Sequence, residues 1–112
     1  MEKILYHATF EKYLPSIKKN GLVINSGNCS YEGQVGDEAV YLANDYDIAE
    51  AFADSAEVDE DIMDTGIVVL EINTSLLDEN KFGLDPNIIL EEGEEPYSFI
   101  YRDNIPASAI TF

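Results

Sequence analysis

Lys3-Ile4-Leu5-Tyr6-His7-Ala8 alternates polar and apolar positions with β-prone residues, which predicts a first strand. Thr9 follows with a hydroxyl suited to capping a short turn. Phe10, Tyr13, Leu14 and Ile17 recur at helical spacing, but Pro15 lacks a backbone donor and cannot sit deep inside a helix. With Pro15 at the first helical position and Gly21 just past the last, the pattern predicts a compact helix over 15–20. Residues 24–38 hold three glycines among polar side chains and read as a long loop. Ala39-Val40-Tyr41-Leu42-Ala43 predicts a second strand. Asn44 or Asp45 then caps a helix with Ile48, Ala49, Phe52, Ala53 and Ala56 on its apolar face.

Gly66-Ile67-Val68-Val69-Leu70-Glu71-Ile72 is the most strand-like stretch, and its near-continuous apolar run predicts a central position in a sheet. Leu76, Leu77, Phe82 and Leu84 form a looser apolar set among turns. A further strand is expected within Tyr97–Tyr101, a turn at Ile105-Pro106, and a sheet edge closed by Ala109–Phe112. Together these elements predict one α+β domain over residues 1–112, with two short helices against a mostly antiparallel sheet. A chain of 112 residues that is 46% apolar can bury a sizeable core. No apolar run approaches the roughly 20 residues needed to span a bilayer. Met1-Glu2-Lys3-Ile4-Leu5 has no signal-peptide character, so the cytoplasm is the expected address. The single cysteine, Cys29, excludes an internal disulfide framework and a multi-cysteine zinc site, and no metal is expected.

Charge changes this picture. Six bases against 23 acids give a net charge of −17. The lysines at 3, 12, 18 and 19 leave the first 19 residues locally positive, whereas Lys81 and Arg102 alone face the acids of the remainder. Such a field repels nucleic-acid phosphates and acidic membranes, so direct binding to either is not expected. It attracts a basic protein surface. Glu50, Asp54, Glu57, Asp59, Glu60, Asp61 and Asp64 form one acidic stretch, and Glu91-Glu92-Gly93-Glu94-Glu95 forms a second. Solubility alone explains many acidic faces. The sharper reading is a mimic of nucleic acid that blocks the basic surface of a nucleic-acid-binding protein, such as a host defence complex.

There is no glycine-rich phosphate loop, HExxH, CxxC or nucleophile elbow. His7 is the sole histidine, and a lone histidine on a strand is by itself most simply a hydrogen-bonded structural residue. Cys29 has no neighbouring base in sequence to activate its thiol. The paired acids at 91–95 lack apolar flanks that would raise a carboxyl pKa.

The order of several segments adds to this. Leu5-Tyr6-His7-Ala8-Thr9 precedes a short helix ending in Gly21-Leu22. Ala39-Val40-Tyr41-Leu42-Ala43 leads into Ile48-Ala49-Glu50-Ala51-Phe52-Ala53. Ile67–Ile72 and Ile105-Pro106-Ala107-Ser108-Ala109-Ile110 follow. Over nearly the whole chain this succession resembles the ADP-ribosyltransferase-like fold. It is most similar to small bacterial or phage members akin to RNA 2′-phosphotransferases and DNA-modifying ADP-ribosyltransferases. The family carries a "YHGT"-type first strand and a "VYL"-type second strand.

The resemblance implies a split, mostly antiparallel sheet and NAD as cofactor. It implies that His7 contacts the ribose or nicotinamide end, that Thr9 lies in the turn beside it, and that Tyr41 stacks on the nicotinamide ring. His7 and Tyr41 are thus the expected catalytic residues, on neighbouring strands with side chains opening to a common cleft. The implied activity is transfer of ADP-ribose to a macromolecular acceptor, in the manner of a phage-type anti-defence factor. Some members place a glutamate on a late strand, yet residues 96–106 contain none near Ser98–Ile100. Lys12, Lys18, Lys19 and Arg102 are the bases open to a phosphate role. The alternative is a non-catalytic acidic inhibitor.

Overall fold

The computed structural model describes residues 3–24, 39–54, 60–85 and 90–112. In chain order the described elements are β1 (Ile4–Phe10), α1 (Leu14–Asn20), β2 (Val40–Ala43), α2 (Tyr46–Asp54), α3 (Glu60–Met63), β3 (Ile67–Asn73), β4 (Phe82–Leu84), β5 (Ser98–Tyr101) and β6 (Ile110–Thr111). One six-stranded sheet runs in the order β4-β5-β2-β1-β3-β6, and each of its pairings is antiparallel. The α+β class stands, but the strands form one six-stranded sheet where a split sheet was expected, and the described α-helices number three where two were expected. Cys29, Glu57 and Asp59, with most of the loop expected over 24–38, lie outside the described residues.

Several expectations need correction. The first strand continues through Thr9 to Phe10, because its pairing with β3 holds over all seven residues, from Ile4↔Asn73 to Phe10↔Ile67. Thr9 is therefore a strand residue and not a cap. A 3-10 turn over Glu11–Tyr13 leads instead into α1, with Pro15 in the first turn where its missing donor costs nothing. β3 is not central, since only the two-residue β6 lies beyond it; β2 and β1 occupy the middle. Its apolar run arises because both faces are nonetheless covered. β4, at three residues, is too short to show a period.

Alternation along the strands sorts the core into two layers. Leu5, Val40, Leu42, Leu70, Ile72 and Tyr101 face one side, where Ile17 of α1, Leu22, Ile105, Ala109 and Ile110 cover them. Ala8, Phe10 and Ala43 face the other and pack on Ala49 and Ala53 of α2. Alanine on both sides of this contact lets α2 lie close to β1 and β2. The Asp45 carboxylate starts that helix by accepting the N–H groups of Asp47 at 2.9 Å and Ile48 at 3.2 Å. A negative group there also opposes the positive end of the helix dipole.

Gly21 ends α1 with φ 75° and ψ −166°, a backbone region open essentially to glycine alone. Its N–H donates to the Ile17 carbonyl at 2.8 Å. A Cβ at this position would stand 2.1 Å from the Ile105 carbonyl oxygen. That close approach lets Leu22 and Ile105 exchange two backbone hydrogen bonds, each 2.9 Å, which tie the end of α1 to the C-terminal segment.

Candidate functional site

Backbone directions at the middle of the sheet decide what the site can be. The Asn44 N–H donates to the Tyr97 carbonyl at 3.1 Å, so the backbone groups of Val40, Leu42 and Asn44 point to β5. Those of Tyr41 and Ala43 then point to β1. On β1, the Glu11 N–H donates to the Gly66 carbonyl, which by the same alternation turns Tyr6 and Ala8 toward β2. Tyr6 and Ala43 form a bridge, and the next pair in register is Ala8 with Tyr41. No bridge forms there. The Tyr41 carbonyl is met instead by the His7 ring, with Nδ1 at 2.7 Å. The seam between β1 and β2 is thus stitched at one backbone bridge, with an imidazole laid across it where the ladder stops.

His7 is 1% exposed, and burial pushes its imidazole down to about 4, the hydrogen bond to Tyr41 opposing the shift. The ring is neutral at pH 7. Because a carbonyl can only accept, Nδ1 carries the proton and donates it, and Nε2 holds the lone pair. Between pH 6.5 and about 4 the unfolded chain binds a proton that the folded His7 refuses. The contribution to stability is therefore constant above 6.5 and lost as pH falls through that window. The full effect is on the order of 3 kcal/mol. Urea unfolding at pH 7 and pH 4.5 should show the parent losing about 2 kcal/mol more than a His7→Gln chain. Equal losses in the two chains would contradict this account of the ring.

The structure brings His7, Thr9 and Tyr41 to adjoining strands, all three at most 3% exposed. It does not aim His7 and Tyr41 into one cleft. His7 pairs with Leu70 and shares the face of Leu5 and Leu42, whereas Tyr41 pairs with Ile100 and packs with it and Ala39 on the opposite face. The two residues sit an odd number of steps apart in the β1–β2 register, and this parity separates their side chains. Their common ground is the seam itself.

Ser98 occupies β5 where a late-strand acid was sought. It is buried, and its hydroxyl donates to the Asp85 carboxylate at 2.7 Å. Ser98 pairs with Ala43 and therefore lies on Tyr41's face of the sheet. Asp85 was not singled out from the sequence, because its place beside Ser98 follows from the unrecognised β4–β5 pairing.

The acids behave differently. Glu50 and Asp54 on α2, Glu60 and Asp61 on α3, and Asp64 after it are all exposed, as are Glu91, Glu92, Glu94 and Glu95. Among the described residues the one ion pair joins Lys81 to Asp103. Asp47, Glu50 and Asp54 line a groove of about 300 Å³ whose apolar wall includes Ile67. These described acids are solvated surface and take no part in a core ion pair among the described residues. Among the described residues no cluster of three or more His, Cys, Asp or Glu could hold a metal ion, and no helix is long and apolar enough to cross a membrane.

Set against known families and curated proteins, the chain matches no family model and no curated protein.

Proposed function

We propose that this chain is an ADP-ribosyltransferase-like protein that binds NAD at the seam between β1 and β2 and transfers ADP-ribose to a macromolecular acceptor. The observation that carries this reading is the interrupted β1–β2 ladder, with the His7 ring spanning it to the Tyr41 carbonyl. His7 and Tyr41 lie on opposite faces of the sheet, so one ligand reaches both only if this seam opens. Both rings are covered in this structure, so binding must displace the side chains over them. The order of motifs along the chain is the support for the ADP-ribosyltransferase-like fold.

In the reaction, the bond between ribose C1′ and the nicotinamide nitrogen breaks, and nicotinamide leaves with the bonding electrons. An acceptor nucleophile forms the new bond to C1′ and loses its proton. Positive charge builds on the ribose in between, so orientation of ring and sugar carries much of the rate. His7, fixed in one tautomer, orients the ribose end, and Tyr41 stacks on the nicotinamide. Thr9, two residues beyond His7 on β1, lies beside it on the same face of the sheet. Ser98, held by Asp85, is the polar group nearest the place of the missing glutamate.

A second reading is favoured by the exposed, unpaired acids: an inhibitor that covers the basic surface of a nucleic-acid-binding protein. Association would then be fast at low salt and weaken as salt screens it. Converting Asp54, Asp61 and Asp64 to lysine should weaken such a complex and leave unfolding within about 1 kcal/mol of the parent. Binding that ignores both salt and these reversals would leave the acidity as solubility alone. The two readings part on NAD, because the inhibitor has no use for it.

A further inference from the structure

Arg102 is a base on the described surface that has no carboxylate partner among the described residues and lies on the face of the sheet that carries Tyr41. It follows β5, is exposed, and lays its guanidinium back over Gly83. A Cβ built on Gly83 would stand 2.6 Å from Nη1, so the bed for this group exists because residue 83 has no side chain. Gly83 pairs with Ile100, and Ile100 pairs with Tyr41, which puts the three in one row on one face. Two strand spacings separate Gly83 from Tyr41, about 10 Å. The nearby Lys81 is engaged by Asp103, and among the described residues Arg102 makes no such pair. Lys18 and Lys19 belong to α1, whose Ile17 packs on the other face of the sheet.

We infer that Arg102, bedded on Gly83, is the anion-recognising group of this site and takes the pyrophosphate of the dinucleotide. The inference rests on the NAD reading above. A chain of net charge −17 repels a phosphate-bearing ligand on approach, so the site needs a local cation to hold one. Guanidinium suits this task because its planar fork donates two parallel hydrogen bonds to phosphate oxygens and keeps its charge at any relevant pH. The row from Gly83 to Tyr41 spans about 10 Å, room for a pyrophosphate at the Gly83 end and a nicotinamide ring at the Tyr41 end once the cover over Ile100 and Tyr41, 4% and 3% exposed, is displaced.

Calorimetric titration of the parent, Arg102→Gln and Gly83→Ala chains with NAD and with nicotinamide riboside, which lacks phosphate, separates the outcomes. Arg102→Gln should weaken NAD by about 10- to 100-fold, the loss of a charge-assisted hydrogen-bonded contact, and leave nicotinamide riboside unchanged. Gly83→Ala should weaken NAD in the same sense with the charge still present, because its methyl group displaces the guanidinium. Thermal melts should show both variants folded, since each change sits at an exposed side chain or meets only a flexible one. Unchanged NAD affinity in Arg102→Gln, in a chain whose parent binds NAD, would overturn the assignment and leave the NAD reading standing. Equal weakening of both ligands would overturn it too, since Arg102 would then be acting on the whole site. A parent that binds neither ligand would bring down the NAD reading and this inference with it.

Discussion

Gly21→Ala should cost about 3 kcal/mol or more of stability, the largest loss expected from a methyl group added at any of the described glycines. Two causes combine. The backbone at φ 75° and ψ −166° is open essentially to glycine, and the added Cβ would collide with the Ile105 carbonyl oxygen at 2.1 Å. Neither partner can move cheaply. Ile105 is fully buried, and its backbone is bonded twice to Leu22, itself part of the core under α1. Relief therefore means parting the C-terminal segment from the helix end. Denaturant unfolding measures the loss directly. A Gly21→Ala chain within 1 kcal/mol of the parent would show that the α1 end and residues 105–107 are not held as close as described.

On the proposed ADP-ribosyltransferase reading, His7→Ala should lower ADP-ribose transfer by about 100-fold through misorientation of the ribose end, with Tyr41→Ala of similar size through loss of the stacking ring. The readout is transfer of label from NAD to a discrete acceptor in a cell lysate, compared at equal folded protein. His7→Ala also removes the hydrogen bond to the Tyr41 carbonyl and leaves a buried acceptor to be satisfied otherwise, worth about 1–3 kcal/mol in stability. His7→Asn guards against confusing the two effects, because its amide can donate to that carbonyl and lacks the imidazole. A His7→Asn chain that is stable but inactive places the ring in the chemistry. Retained labelling in both His7 and Tyr41 variants would move the active site elsewhere.

Much of the architecture is legible in the residues. The strands around His7, Tyr41 and Leu70 announce themselves by apolar runs of β-prone residues. The helix between Pro15 and Gly21 is marked at both ends by residues with one conformational use each. What escaped was set by partners distant in sequence. β4 is three residues long, so only its pairing with β5 defines it, and the Asp85–Ser98 contact and the bed of Arg102 on Gly83 were hidden with it. The extent of β1 was missed because Thr9 has the chemistry of a cap, and only pairing with Val68 shows it to be a strand residue. Parity misled in a similar way. His7 and Tyr41 were correctly expected on adjoining strands, but which faces they take depends on the Tyr6↔Ala43 register, and no local pattern reveals that. The acidic surface needed no register at all, since six bases cannot neutralise 23 acids.

The central claim is that the seam between β1 and β2, with His7 across it, is built for NAD. Titrating the folded chain with NAD to millimolar concentration in a calorimeter tests this most directly. Saturable binding at one site per chain, abolished in Tyr41→Ala and weakened in His7→Asn, is the predicted result. The absence of any binding heat at millimolar NAD, from a chain that unfolds cooperatively in the same buffer, would contradict it.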